Sequence, residues 1–463
     1  MVDTYYPSPY LCVGDQEFTG SNGRPVVPVF RTSDATMLMV PAALADLLLR
    51  PGIPSGSVPA RALASLLESG LVGPDPAAFR AAHHGVMKRH DSGRRTFVLL
   101  PTSYCNMGCE YCGQEHRRAA LGRDHREAVL ARVLRAAEDE RTDHLHVAWF
   151  GGEPLMAFAT LRSMAREIVG RVQERGVEFS SKITTNGALL DRRKLRALVH
   201  ECGVTRFDIT LDGPREIHDA HRPLKSGKPS FDRLVDFLAE SVADPEFAEV
   251  AFILRTNVDV QNHRHVPEYL QEMARRGFAG IRNVTFQLAP IHSWGNDIDA
   301  LSLSKDQVAR LEIEWFTMMA DLGLNFSALP ATVVENTCVA TTLGGEVIGS
   351  NGNVFSCTEH PLVPEHERDS VLIPVTALKP GQPRPPGRFD TWTDRVTAGG
   401  MPCSSCWLLP VCGGNCPKRW DEGEIACPSM KANLPQRLSA VARSKGLRPT
   451  GRTLTRTPTG ERG

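Results

Sequence analysis

From residue 95 to about 325 the chain repeats one pattern. A short run of apolar and β-branched residues is followed by a polar or glycine-containing stretch, and then by a longer segment with helical periodicity. The runs at 96–101, 144–150, 181–185, 206–211, 250–256 and 284–289 predict strands. The stretches 124–137, 191–201 and 231–243 predict helices among those between them. Strand–helix alternation of this kind predicts an α/β fold with a parallel sheet or barrel, whose site lies at the C-terminal ends of the strands. Six units build a partial, TIM-like (β/α)6 barrel rather than the eight that close one.

The flanks follow other patterns. Residues 15–30 alternate turn formers with β-formers and predict a hairpin. Short helices are expected at 44–49 and 61–69, the second stopped by Gly70 ahead of a possible short strand. This small α+β unit, 1–93, resembles the winged-helix modules that recognise peptides, and it serves equally well as a packing cap. Residues 73–95 read as a linker. Beyond 325 the alternation stops, and cysteine, glycine and proline dominate 326–447. Residues 378–388 must be a loop. The last stretch, 448–463, is basic and rich in Thr, Gly and Pro, and is expected to be disordered. The predicted domains are therefore 1–93, 94–325, 326–447 and the 448–463 tail.

Composition narrows the class. Apolar residues make up 41% and charged residues 23%, and 53 basic residues balance 53 acidic ones. No global field draws nucleic acid or an anionic membrane. No secretory signal and no apolar run of membrane-spanning length is present, so a cytoplasmic protein is expected.

Twelve cysteines in such a chain point to metal or redox chemistry rather than disulfides. Cys105, Cys109 and Cys112 form a C-x3-C-x2-C loop directly after the first barrel run. Cys338, Cys357, Cys403, Cys406, Cys412, Cys416 and Cys427 follow far downstream. Cys12 and Cys202 stand alone and are expected to be small buried hydrophobes. Three thiolates on one loop suit a [4Fe–4S] cube whose fourth iron is ligated by something else. Zinc is the competing reading, with His116 as a conceivable fourth ligand and Cys403-x2-Cys406 as a zinc-like spacing. That reading makes the protein a zinc-stapled, peptide-binding adaptor, though seven cysteines do not divide into tetrahedral sets.

The cysteine loop, with Tyr111 before its last Cys, resembles the signature of the radical S-adenosylmethionine superfamily. Further segments at strand ends resemble that family's cofactor contacts: Gly151-Gly152-Glu153-Pro154, Thr185-Asn186 within 184–187, Thr210-Leu-Asp212 within 210–214, and Arg255. The resemblance implies that S-adenosyl-L-methionine completes the cluster. Glu153 offers a carboxylate to the methionyl ammonium, and Arg255 offers a cation to its carboxylate. The downstream cysteines resemble the SPASM extension of peptide- and protein-modifying members. By that resemblance Cys403, Cys406, Cys412 and Cys427 hold one auxiliary [4Fe–4S] cluster, while Cys338, Cys357 and Cys416 hold a second whose fourth ligand is unknown.

The implied function is oxidative modification of a precursor peptide or protein, foremost a thioether or carbon–carbon cross-link in a ribosomally made peptide. An external electron donor such as flavodoxin or ferredoxin is implied as well. Sulfatase maturation is the alternative, although that branch usually has Asp where Thr358 follows Cys357. Glu359 is the base candidate, with a solvated loop carboxylate as its plain reading. His218 and His221 are expected to fix the turn after Asp212. Residues 291–296, with His292 and Trp294, either line the pocket or simply pack at the rim.

Overall fold

A computed structural model describes residues 3–87, 93–293, 296 and 298–454. Its centre is a nine-stranded sheet. Six parallel strands come from the repeated pattern: β1 (Arg94–Leu99), β2 (His144–Trp149), β3 (Glu178–Thr185), β4 (Val204–Thr210), β5 (Ala251–Val258) and β6 (Val284–Pro290). They lie in sequence order, each hydrogen-bonded to the next. Helices Arg123–Glu138, Phe158–Arg175, Arg192–His200 and Phe231–Ala243 fill the crossovers. This is the expected partial barrel.

Its core runs from Phe97, Val147 and Ile183 through Phe207 and Phe252 to Phe286, all at most 1% exposed. The parallel register aligns the strand ends, setting Leu99 and Ile183 beside Trp149, Thr185 beside Ile209, and Thr210 beside Arg255. The loops that carry the chemistry therefore open on one rim.

The sheet does not end where the repeat ends. β7 (Gly345–Ile348) pairs parallel with β1, and β8 (Asn353–Phe355) and β9 (Ile373–Pro374) extend it antiparallel. The expected boundary at 325 thus falls within a continuous architecture. Glu346 on β7, wholly buried, accepts from Arg132 Nε at 2.5 Å and from Arg95 Nη2 at 2.9 Å. Removing Glu346 would strand the buried Arg132 charge, so this pairing locks the downstream region onto the barrel.

The N-terminal unit is α+β, as expected. Strands Gln16–Thr19 and Pro25–Arg31 form the hairpin, and helices Ala42–Leu48 and Ala60–Glu68 follow. Gly70 adopts the left-handed conformation ahead of strand Val72–Gly73. Two expectations need correction. The 73–95 linker contains a helix, Pro76–Met87. The tail is a strand over Arg448–Thr453, antiparallel to Gln16–Thr19 and tied by Arg452 to Glu17 and Asp46 at 3.0 Å each. Residues 455–463, the rest of the tail, lie outside the described residues.

Leu454 joins the N-terminal core, and Cys12 and Phe30 pack against Leu408, Met430, Leu434 and Leu438. Helix Met430–Ser444 carries that contact. Cys12 and Cys202 are fully buried, which suits the hydrophobe reading. Among the described residues no helix is long and apolar enough to cross a membrane.

Candidate active site and cysteine centres

The loop after β1 brings Cys105, Cys109 and Cys112 over the strand ends, and the loop after β2 lies against it. A Cβ on Gly152 would stand 2.5 Å from the Tyr104 carbonyl oxygen, so only glycine permits this approach. Glu153 is fully buried beneath. Its Oε1 accepts from Thr185 Oγ1 at 2.7 Å and from the Leu155 amide at 3.0 Å, and its Oε2 accepts from the Asn186 amide at 2.7 Å. With no exposed surface, this carboxylate braces the loops after β2 and β3. Asn186 in turn extends Nδ2 to Asn106 Oδ1 at 2.8 Å and towards Cys105 Sγ at 3.7 Å.

Asp212 organises the opposite wall. Its Oδ2 accepts from the Tyr111 hydroxyl at 2.6 Å, from His221 Nδ1 at 3.1 Å and from Arg222 Nη1 at 3.5 Å. Its Oδ1 accepts from the Asn257 amide at 2.8 Å. Burial works against a charged Asp212, but Arg222, His221 and Tyr111 outweigh it and bring the carboxyl down to about 2. Burial also opposes a charged His221, yet Asp212 and Asp259, the latter 2.8 Å from Nε2, raise it to about 9. His221 is therefore an imidazolium between two carboxylates.

His218 holds the same turn, with Nδ1 facing the Asp212 amide at 3.2 Å. Tyr111 also meets Asn257 Nδ2 at 2.9 Å and Arg222 Nη1. Arg255 donates from Nε to Asn257 Oδ1 at 2.8 Å, and burial lowers its pKa. Thr210 is buried beside it in the register. Sequence reasoning missed Tyr111, Arg222 and Asn257 as a hub; only the aromatic position within the cysteine loop pointed to Tyr111.

The thiols fit a cluster. Burial pushes Cys105 up to about 11 and raises Cys112, with Cys109 adding to both. Three thiolates in that setting need positive charge among them, which iron supplies. Arg222 Nε is buried and unpaired at the same wall. His116 Nε2 stands 3.8 Å from Cys112 Sγ. Among the described residues no three Cys, His, Asp or Glu side chains converge closely enough to hold one metal ion. A cube takes its thiolates at separate corners.

Downstream, Cys403, Cys406, Cys412 and Cys427 line one small cleft, with Leu408, Leu409 and Trp420 around them. Cys338, Cys357 and Cys416 form a second electrostatic neighbourhood, where burial and the neighbouring thiols raise Cys357. The turn between Cys412 and Cys416 accounts for the division. Gly413, Gly414 and Asn415 all have positive φ, of 60°, 83° and 59°. A Cβ on Gly414 would meet Val396 at 2.6 Å. This reversal sends successive cysteines to different neighbourhoods, and Trp392 Nε1 clamps it by donating to the Gly413 carbonyl at 2.9 Å.

Glu359 stands in the second neighbourhood. Its Oε1 lies 3.6 Å from His292 Nε2 and its Oε2 lies 3.8 Å from Lys418 Nζ. Burial pushes its pKa up, but His292 and Lys418 prevail and hold it low, which makes it a weak proton acceptor. In the 291–296 segment, Asn296 Nδ2 donates to the Tyr111 carbonyl at 3.3 Å. Trp294 lies outside the described residues.

A parallel partial barrel with three thiols on its first loop suits a [4Fe–4S] cube whose fourth iron is left to another ligand. Residues 99–242 match the family model of the Radical SAM superfamily. Residues 99–242 accordingly form a radical SAM domain, and the protein is an enzyme that uses S-adenosylmethionine and a [4Fe–4S] cluster.

The chain is similar to serine-type anaerobic sulfatase-maturating enzymes. It is 24% identical to that of Bacteroides thetaiotaomicron over 350 residues, 68% of this chain and 80% of that one. It is 25% identical to that of Klebsiella pneumoniae over 340 residues, 68% and 79%. Among solved structures it resembles native anSMEcpe with bound AdoMet and Cp18Cys peptide, at TM-score 0.56 and 18% identity. That match covers 76% of this chain and 98% of that one.

Proposed function

We propose that this protein oxidatively modifies a peptide or protein, and specifically that it installs a thioether or carbon–carbon cross-link in a ribosomally synthesised precursor peptide. The observation that carries this reading is the division of seven downstream cysteines into a set of four around one cleft and a set of three, on a region that shares the barrel's sheet. The reading assigns [4Fe–4S] ligation to Cys105, Cys109 and Cys112, and auxiliary clusters to the other two sets.

Bound at the rim, S-adenosylmethionine and a reduced cluster supply a carbon-centred radical that takes a hydrogen atom from an unactivated C–H bond. The protein's own part is placement. Gly151, Gly152 and Pro154 let backbone approach the nucleoside, while Thr185, Asn186 and Thr210 offer short polar groups. Arg255 meets the cofactor carboxylate, and Glu153 and Asp212 hold these loops from behind. Net oxidation sheds a further electron and a proton, and the auxiliary cysteine sites are the ligands through which that electron would leave. Reducing equivalents come from an external donor such as flavodoxin or ferredoxin.

About a quarter of this chain lies outside its match to anSMEcpe, while nearly all of that chain lies inside it. The N-terminal unit is the part expected to be additional, and its sheet suits capture of an extended leader segment. Strand Gln16–Thr19 already pairs with Arg448–Thr453. Strand Thr36–Pro41 pairs on one side only among the described residues, so a leader would add there.

Sulfatase maturation, oxidation of a Cys or Ser to formylglycine, is the second reading, favoured by the names of the curated relatives. Thr358 in place of the branch's usual Asp weighs against it. Co-expression with short peptides encoded nearby, followed by mass spectrometry, tests both. A loss of two hydrogens with no aldehyde reactivity supports the cross-link. A hydrazide-reactive product supports formylglycine. Protein that is colourless, zinc-loaded and unable to release 5′-deoxyadenosine would sink both readings.

A further inference from the structure

The set of three cysteines, Cys338, Cys357 and Cys416, is one thiolate short of the four that a cube ordinarily takes. We propose that the carboxylate of Glu359 is the fourth ligand at this site. The inference rests on the auxiliary-cluster reading above and goes beyond it by naming the residue that closes the set.

Three observations converge on Glu359. It follows Cys357 by two residues, and its amide donates to Cys357 Sγ at 3.5 Å, so backbone and thiol share one tight turn. Its carboxylate reaches across to the Cys416 loop, where Lys418 Nζ lies 3.8 Å from Oε2. It is among the charges that act on all three thiols, Cys338, Cys357 and Cys416.

The condition of that carboxylate supports a ligand role. Glu359 Oε2 is buried and accepts no hydrogen bond among the described residues. Its two cationic neighbours stand 3.6 and 3.8 Å away, beyond hydrogen-bond reach. A buried carboxylate oxygen left so is costly unless something else coordinates it. Lys418, itself buried, gives its short contact to Glu422 at 2.7 Å and leaves the Glu359 lone pairs available. An oxygen donor bound to iron, with Lys418 and His292 balancing its charge, gives that buried oxygen a partner. Where a carboxylate replaces a thiolate, the cluster's potential is set apart from that of the fully cysteine-ligated site 403–427, since ligand identity and net charge tune it.

The test uses full-length protein reconstituted anaerobically, with iron and sulfide counted and oxidised and reduced samples followed by electron paramagnetic resonance in a redox titration. Wild type should hold about twelve irons, four per cube. Glu359→Ala should lose about one iron per chain and show a three-iron signal on mild oxidation. Glu359→Cys should keep the full complement while shifting the midpoint potential of one cluster only. Glu359→Ala protein with unchanged iron, spectrum and potentials would overturn the assignment. Should the alanine variant fail to fold, Glu359→Cys decides: full iron with one shifted potential supports the ligand role, and iron loss like alanine's overturns it. Wild type holding only about four irons would instead overturn the auxiliary-cluster reading, and the ligand proposal with it.

Discussion

Around Cys105, Cys109 and Cys112 the protein surrounds its thiols with side chains that already satisfy one another, from Glu153 with its three donors to Asp212 with its four. Around the seven downstream cysteines the support is mostly backbone: short turns, left-handed glycines and carbonyls clamped by Trp392 and Trp420. The first site stands on strands with a deep apolar core of their own. The second stands on helices of four to six residues, Leu409–Cys412, Pro417–Asp421 and Trp392–Thr397, which bury little by themselves. The contrast teaches where ligands carry function and where they carry fold. Loss of the barrel cluster should leave a folded, inactive protein, and loss of a downstream cluster should loosen the protein itself.

The largest expected effect is on turnover. Replacing Cys105, Cys109 and Cys112 together by alanine should abolish 5′-deoxyadenosine release and remove about four irons, with little change in melting temperature. A melting temperature that falls as far as activity does would erase the contrast. Cys412→Ala should do the reverse to stability. Its cleft should lose about four irons and residues 398–430 should become sensitive to limited proteolysis, while the barrel still cleaves cofactor slowly.

Asp212→Asn leaves Arg222 buried without its carboxylate and His221 with Asp259 alone. A cost of about 3–5 kcal/mol is expected in denaturant unfolding, with weakened cofactor binding. Tyr111→Phe removes only hydroxyl contacts, so about 1–2 kcal/mol is expected, with the KM for S-adenosylmethionine rising more than kcat falls.

The smallest effect concerns pH. The pKa of His221 is raised from 6.5 to about 9 in the folded protein. Its contribution is complete below the unfolded value and is lost as pH climbs through the folded one. Thermal stability should therefore decline from about pH 6.5 to about pH 9, and His221→Gln should flatten that slope. A wild-type profile that is flat over this window would show that His221 is not held charged.

The strands and most helices were legible because their apolar runs are buried. Phe231–Ala243 matches its expected helix end to end. The misses have physical reasons. Helix Met430–Ser444 carries an internal Pro435 and buries Asn433 and Arg437, which pair with Glu312, so its pattern reads as broken. Helix Pro76–Met87 hides behind paired histidines and a proline start. Strand Arg448–Thr453 has no buried residue, and pairing and ions alone hold it. At the candidate site the cysteines and turn motifs were legible from spacing. The Tyr111–Asp212–Arg222–Asn257 hub was not, because its members meet only after 101 to 146 residues of chain have folded between Tyr111 and its partners.

The strand Arg448–Thr453, set against Gln16–Thr19, bears on how the chain is made. During synthesis Gln16–Thr19 emerges long before Arg448–Thr453, the strand that pairs with it. Until then the edge of Gln16–Thr19 is bare and prone to wrong partners. Completion of this one pairing ties Arg448–Thr453 to Gln16–Thr19 across most of the intervening fold. Truncating after Ser444 should thus harm yield and solubility during expression more than it harms the catalytic rim of protein already folded.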